Sequence, residues 1–564
     1  MSNTLLTLLS AETIQHYTNH GFWGTDTIYD LVEQQARRDG DRHAVRDRHQ
    51  RLTYRQLLAA ADAFARDLDR RGLKPGQRVA VWLPSRIEGA IALLACSRNG
   101  YVCCPSLHRD HTVREIVELV ERMRAAVLVV QTGYGADADR RDIVEHCREL
   151  KSLRHVYTLE IPGQQIDESF SGAVGDVSDS AARKTDPNQV VYLAFTSGTT
   201  GQPKGVMHSD NTLLANARSL SADWSIDGES VIYSLSPLSH NLGFGAMVMT
   251  FYAGAELVIH DLPKGASLVD RLGDTQASFL VGVPTHAIDL LRELRTRNMN
   301  AIGNLKGFRI SGASAPREVV AELLKNGVVP QSGYGMTETC SHQYTLPNDP
   351  PERIIETSGR ACPGYEIRIW RQDDPDTEAG VGEIGQIGGR GASLMLGYFD
   401  DQESTENSFN KSGWFMTGDL GSLDADGYLR ITGRKKDVII RGGHNIYPAR
   451  IEALVMRHAA IDRVAVVPVQ DNRLGEKVGL VVSTRSGQSV TGNEMLAHLD
   501  AVGLSKYDMP EYFLQVDSIP LTPSGKIRKR DIVDMINNGQ LAPVAVRFNS
   551  KADQVPDVDF AGRR

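Results

Sequence analysis

The segment Ala194-Phe-Thr-Ser-Gly-Thr-Thr-Gly-Gln-Pro-Lys-Gly-Val206 gathers the residue types that hold phosphate. Thr196, Ser197, Thr199 and Thr200 carry hydroxyls, Gly198, Gly201 and Gly205 remove side-chain bulk, and Lys204 adds a cation. With so little bulk in the way, backbone N–H groups can close around an anion while the lysine neutralises it. A β-rich run over 190–195 precedes the loop, and a helix expected to begin near Ser209 or Asp210, both good N-caps, follows it. The loop is not a Walker A sequence, because Lys204 follows Pro203 and no Ser or Thr comes after it. The alternative is a flexible Ser/Gly surface loop, but linkers rarely combine a strand before, a helix after and a lysine at the end.

Four further motifs follow in order: Tyr334-Gly-Met-Thr-Glu338, Gly413-Trp-Phe-Met-Thr-Gly-Asp419, Gly433-Arg-Lys-Lys-Asp-Val-Ile-Ile-Arg-Gly-Gly-His-Asn-Ile-Tyr-Pro448 and Pro523-Ser-Gly-Lys526. With the phosphate loop they resemble the signatures of the acyl-adenylate-forming (AMP-binding) superfamily: acyl-CoA synthetases, peptide-synthetase adenylation domains and firefly-type luciferases. The resemblance spans nearly the whole chain. Residues 334–347 and Gly359-Arg-Ala-Cys-Pro-Gly364 look closest to bacterial cyclohexanecarboxylate–CoA ligases and medium-chain acyl-CoA synthetases.

The resemblance implies an ATP-dependent acid–CoA ligase. A carboxylate and ATP give acyl-AMP and pyrophosphate, and the CoA thiol then releases acyl-CoA and AMP. Activation needs phosphate charge neutralised, the nucleotide held and the carboxylate aimed at the α-phosphorus. Thr337 offers a hydroxyl to phosphate, and Glu338 a hard oxygen ligand for Mg²⁺, which takes few protein ligands and bridges phosphates. Tyr334, with Gly335 and Met336, offers a face for adenine, and Gly312, Ala313 and Ser314 resemble the family's adenine-edge loop. Asp419, acceptor-only when ionised, suits a ribose diol, and Arg434 resembles the second ribose contact. Taken singly, Glu338 reads equally as a helix-start acid and Asp419 as a turn residue. Lys526 resembles the adenylation lysine, a point charge on a flexible stem able to reach carboxylate and α-phosphate. Without the other motifs, its neighbours Arg528, Lys529 and Arg530 would suggest an ordinary basic patch.

In this family a small C-terminal domain rotates between the two half-reactions. The hinge corresponds to Lys436, and rotation brings Arg441, Gly442, Gly443 and His444 to the CoA side; the glycine pair could equally be a plain turn. His240 occupies the gate position of the acyl pocket, beside Asn241, which in aryl-acid activators bonds a ring hydroxyl. Gly243 and Phe244 begin an apolar, small-residue lining that residues 282–284 and Gly333 complete. No Lys or Arg in these segments is placed to meet a second carboxylate. A compact apolar acid is expected, alicyclic or medium-chain; the alternative is a stand-alone aryl-acid adenylating enzyme that loads a carrier-protein thiol. The setting of Lys526 also resembles one in which a lysine acetyltransferase removes the charge. A monomer and a homodimer are both compatible with the sequence.

Positioning these residues requires a large scaffold. Helical and strand patterns alternate through the first half, which argues for an α/β fold with a doubly wound, mixed sheet arrangement. The N-terminal AMP-binding domain is expected over 1–435, with a small β-rich subdomain near 355–432. A small mobile α+β C-terminal domain is expected over 436–541, and a flexible tail over 542–564. The 564 residues carry 62 Lys plus Arg against 70 Asp plus Glu, a net charge of −8, which disfavours a nucleic-acid partner. Six cysteines are too sparse for a disulfide framework, and no run approaches a membrane span. A cytoplasmic setting is expected.

Overall fold

The computed structural model describes residues 5–161, 185–196, 203–522 and 526–548. The chain forms two compact units. The first runs to Thr417 and includes Ser422–Arg430; the second takes Gly418–Gly421 and everything from Ile431 onward.

Two sheets organise the first unit. A six-stranded sheet runs His155–Leu159, Ala125–Gln131, Arg78–Trp82, Val102–Cys104, Val190–Thr196 and Lys204–Ser209. A nine-stranded sheet runs Arg360–Ala361, Cys340–Tyr344, Val329–Met336, Gly307–Ile310, Phe279–Gly282, Val231–Ser234, Glu256–Ile259, His43–Arg46 and Arg51–Thr53. Most pairings are parallel, with antiparallel strands at the edges. The expected doubly wound mixed sheets are therefore present. One core unites both sheets: Val79, Val81 and Val127 from the first meet Ile232, Leu257 and Val281 from the second. The helices Ile87–Asn99, Asp210–Asp223 and Asn241–Ala253 are buried on nearly all sides and contribute to this core. All-round apolar helices demand such a sandwiched place.

The glycine-rich stretch pairs Tyr365–Trp370 antiparallel with Gly385–Gly391, within a four-stranded sheet that continues through Phe415–Leu423 and Leu429–Arg434. Its glycines have a packing cause. A β-carbon at Gly388 would strike the Trp370 ring, and one at Gly389 the Tyr365 ring.

In the second unit, Ile461–Asp471 and Gly475–Thr484 form a long hairpin. Alternation assigns its residues to two faces. Val464 and Val466 pack with the helices Pro448–Val455 and Gly492–Ala501, whereas Ala465 and Val467 meet Ile532 of the helix Lys529–Asn537. Within the expected flexible tail, Val544–Ala545 instead pairs with Tyr512–Gln515, and Val546 packs on the unit's core. The rest of that tail lies outside the described residues. Among the described residues, no helix is long and apolar enough to cross a membrane.

Candidate active site

The phosphate segment is a hairpin arm rather than a strand running straight into a helix. Val190–Thr196 pairs antiparallel with Lys204–Ser209, placing Thr196 opposite Lys204. Helix Asp210–Asp223 begins only after this second strand, with Ser209 and Thr212 exchanging capping hydrogen bonds. The intervening strand was missed because Lys204-Gly-Val-Met-His-Ser209 lacks a clear alternation of apolar and polar residues. Ser197, Gly198, Thr199, Thr200 and Gly201 lie outside the described residues. The arms on either side are firmly placed: Phe195 N–H donates to Ser106 Oγ at 2.6 Å, and Arg122 donates to the Pro203 carbonyl at 2.6 Å.

The second motif closes a hairpin and starts no helix. Tyr334, Gly335 and Met336 end the strand Val329–Met336, and Thr337 and Glu338 occupy the turn before Cys340–Tyr344. Gly335 cannot carry a side chain, because a β-carbon there would strike the Cys340 carbonyl. The Tyr334 ring meets that of His342 edge-on, 5.3 Å between centroids.

Two side chains absent from the sequence reasoning join this turn to the phosphate arm. His208 reaches the Thr337 carbonyl through Nε2 at 2.7 Å and Thr212 Oγ1 through Nδ1 at 3.0 Å. Burial pushes its pKa down to about 4, so the ring is neutral at pH 7 and Nε2–H can donate to that carbonyl. Tyr398 donates its hydroxyl to Glu338 Oε1 at 3.0 Å, while Lys204 Nζ stands 4.7 Å from the centre of its ring. Phosphate-loop lysine, tyrosine and carboxylate thus form one chain of contacts. The single carboxylate of Glu338 suits a magnesium ion that arrives on the nucleotide and is held mainly by phosphate oxygens. Gly312, Ala313 and Ser314 form an exposed turn directly after the strand Gly307–Ile310, with Gly312 at φ +90°.

At the expected acyl side, His240 caps the helix Asn241–Ala253 and lies parallel to the His108 ring, 4.1 Å apart. Burial, with the neighbouring His240 and His111, pushes the His108 pKa down to about 2. Asn241 Nδ2 stands 3.5 Å from the Met336 carbonyl oxygen. Gly243 permits the helix to rest on the backbone carbonyls of Ser236 and Pro237, which a β-carbon would strike. Phe244 stacks on Tyr192 at 4.0 Å, worth about 0.5–1.5 kcal/mol beyond the area buried. An apolar cavity of ≈ 20 Å³, room for about one water, lies beside them, lined by Val81, Leu83, Leu238 and Met247. Gly333 would accept a β-carbon without a clash, in ordinary contact with the Ile310 carbonyl and Ser311 Cβ at 3.7 Å.

In the second unit, Arg434 Nε lies 3.3 Å from Asp419 Oδ1, so the two expected ribose contacts face each other. Lys526 pairs with Thr522, its N–H bonded to Thr522 Oγ1 at 3.0 Å and its carbonyl accepting from Thr522 N–H at 2.7 Å. Residues 523–525 lie outside the described residues. By area the lysine is exposed, yet protein atoms crowd its ammonium. That desolvation and the Arg434 charge hold it below the usual lysine range, while Asp419 acts in the opposite sense. Lys436, in the short 3₁₀ turn Lys435–Asp437, is lowered for the same reasons. Gly442 and Gly443, at φ +56° and +88°, are the two-residue turn between Ile439–Arg441 and His444–Ile446. Arg441 already grips Glu511 through two bonds of 2.9 and 2.8 Å, and His444 Nε2 meets Asp508 at 2.8 Å.

Residues 32–399 match the AMP-binding enzyme family, and residues 450–526 match the AMP-binding enzyme C-terminal domain. The chain belongs to the AMP-binding enzyme family. It is an AMP-forming acid–thiol ligase, an acyl-CoA synthetase that works through an acyl-adenylate and uses ATP and CoA. The medium-chain fatty-acid–CoA ligase of Escherichia coli K12 is 31% identical over 518 residues, 91% of each chain. The 3-((3aS,4S,7aS)-7a-methyl-1,5-dioxo-octahydro-1H-inden-4-yl)propanoyl:CoA ligase of Rhodococcus jostii RHA1 is 32% identical over 523 residues, 89% of this chain and 97% of that one. The crystal structure of ATP-bound MatB from Rhodopseudomonas palustris superposes with a TM-score of 0.81 at 28% identity, covering 92% of this chain and all of that one.

Proposed function

We propose that the acid is compact and predominantly apolar, either alicyclic like cyclohexanecarboxylate or a medium-chain fatty acid. The observation that supports this reading is the start of helix Asn241–Ala253, where Phe244 and Met247 border an apolar cavity close in sequence to the proposed gate His240. The names of the two relatives, one medium-chain and one bearing an octahydroindene ring, support the same size class. In the first step the carboxylate oxygen attacks the α-phosphorus of Mg·ATP and pyrophosphate leaves. Lys204 neutralises phosphate charge, Thr337 donates to a phosphate oxygen, and Glu338 ligates the magnesium that accompanies the nucleotide. Asp419 and Arg434 receive the ribose, Tyr334 and residues 312–314 the adenine. Lys526 stabilises the charge that builds between carboxylate and phosphate. In the second step the CoA sulfur attacks the acyl carbonyl, the thiol proton departs and AMP leaves. The second domain, with its limit at Lys436, turns between the steps and presents the loop 441–444 to CoA.

Pyrophosphate–ATP exchange over an acid panel tests the reading: cyclohexanecarboxylate, benzoate, hydroxybenzoates and C4 to C10 fatty acids, followed by addition of CoA. Exchange that peaks with an alicyclic or medium-chain acid and yields the thioester is the expected result. A peak at hydroxybenzoate with no thioester would favour the aryl-acid carrier loader instead. Acetylation of Lys526 by a lysine acetyltransferase would remove the charge and silence the first step alone. Mass spectrometry after incubation with acetyl-CoA and such an enzyme tests it, and an unmodified Lys526 rejects it.

A further inference from the structure

The strand Gly307–Ile310 carries Phe308 and Ile310 into the apolar core shared with Leu290, Leu291 and Leu323. Arg309 therefore points to the opposite face of the sheet. In register it stands beside Gln331 of the neighbouring strand. Gly333, two residues further along, shares that face, and Tyr344 is its partner across the next pair. Arg309 is 4% exposed and Gln331 fully buried. Among the described residues, none hydrogen-bonds Arg309 Nε, and none bonds either end of the Gln331 amide. The groups that bear on the guanidinium are Tyr344, Cys340 and Cys362. The Tyr344 hydroxyl is donated to Asp223 at 2.9 Å, and burial pushes both thiols up to about 12, so neither cysteine supplies an anion at pH 7. A buried guanidinium without a counter-ion is expensive, and its planar fork matches a carboxylate or carbonyl oxygen.

We infer that the acid activated here carries an oxygen acceptor, a second carboxylate or an oxo group, at the end remote from its reacting carboxyl, and that Arg309 and Gln331 receive it. This inference rests on the proposed place of Gly333 in the acyl pocket, and it refines an apolar acid into one with an apolar body and a polar far end. Arg309 and Gln331 sit two residues, roughly 7 Å, below Ser311 and Gly333, a depth that suits a compact acid. Arg309 lies outside the segments whose lack of cations disfavoured a dicarboxylate on sequence grounds.

Exchange kinetics on size-matched acids test it: cyclohexanecarboxylate against its 4-oxo and 1,4-dicarboxylate analogues, and octanoate against 7-oxooctanoate and octanedioate. In one series, an acceptor-bearing acid should exceed the plain acid in kcat/KM by about tenfold or more, because a site built for a polar group rejects the analogue lacking it. Arg309→Met and Gln331→Leu should each collapse that ratio by about tenfold. A wild-type preference for the plain acid in both series, or silence with all six, overturns the inference whether or not the variants fold. So does an Arg309→Met enzyme in which all acids fall together at a constant ratio, the mark of a structural arginine. Gly333→Leu separates the two readings. If it leaves exchange with every acid untouched, the pocket assignment fails and takes the inference with it. If it blocks exchange while the wild-type ratio is flat, only the inference fails.

Discussion

Lys526 is the residue on which the adenylation chemistry turns in this account. Desolvation and the Arg434 charge lower its pKa while Asp419 raises it, and in the proposed mechanism its charge stabilises the transition state. Lys526→Ala should slow acid-dependent pyrophosphate exchange by roughly 10²–10³; an unaltered rate removes it from the mechanism. Tyr398 has a different task, holding Glu338 by one oxygen while its ring faces Lys204. Tyr398→Phe keeps the ring and deletes a bond to a charged group, worth about 1.5–3 kcal/mol. The concentration of Mg·ATP needed for half-maximal exchange should rise about tenfold, and an unchanged value would unlink Tyr398 from the carboxylate. Asp210 yields a prediction in pH. Burial lifts its pKa from 3.8 to about 7, against the hydrogen bonds it accepts from Ile28 N–H and Ser97. A carboxyl raised in this way gives stability that is fully present below pH 3.8 and lost as pH rises through 7. The melting temperature of Asp210→Asn should therefore gain on that of the wild type as pH rises from about 4 to about 8. A constant gap would show that the group does not titrate in this range.

Among the elements, what the sequence made visible is what depends on local pattern. The helix Tyr54–Arg70, the strands Arg78–Trp82 and Ala125–Gln131, and the helix start at Asp210 all follow from periodicity and N-caps. The strand Lys204–Ser209 and the hairpin turn at Thr337–Glu338 did not, because each is also held by backbone bonds to residues 395–399, far along the chain: Leu396 and Phe399 N–H to the Met207 and Gly205 carbonyls, and Met395 N–H to the Glu338 carbonyl. The same holds for the site. Short motifs named the residues proposed to face the ligand, whereas His108, His208, Arg309 and Tyr398 stand out only through what the fold sets beside them. At this scale the proposed hinge is testable. Lys436 lies in a single 3₁₀ turn between two strands, five residues inside the second unit, and as a hinge it would change φ and ψ while the residues after it move. Lys436→Pro, which fixes φ near −65°, should spare pyrophosphate exchange and slow thioester formation by about tenfold or more. Equal loss in both steps would argue against domain alternation.

At the scale of the whole molecule, two sheets bury three helices between them and place Thr196, Lys204, Tyr334 and Glu338 on strand ends and a turn. A second, separately packed unit carries Lys526, Arg434 and the loop 441–444. The net charge of −8 is no obstacle to ATP and CoA, because a few local cations suffice for each. One chain activates an acid as its adenylate and then passes it to CoA. Exchange and products followed in one reaction, with and without CoA, test this two-step chemistry. Pyrophosphate–ATP exchange should require the acid and not CoA. Once CoA is added, one AMP and one pyrophosphate should appear for each acyl-CoA formed. Exchange that proceeds without acid, or ADP and phosphate in place of AMP and pyrophosphate, would rule out an acyl-adenylate route.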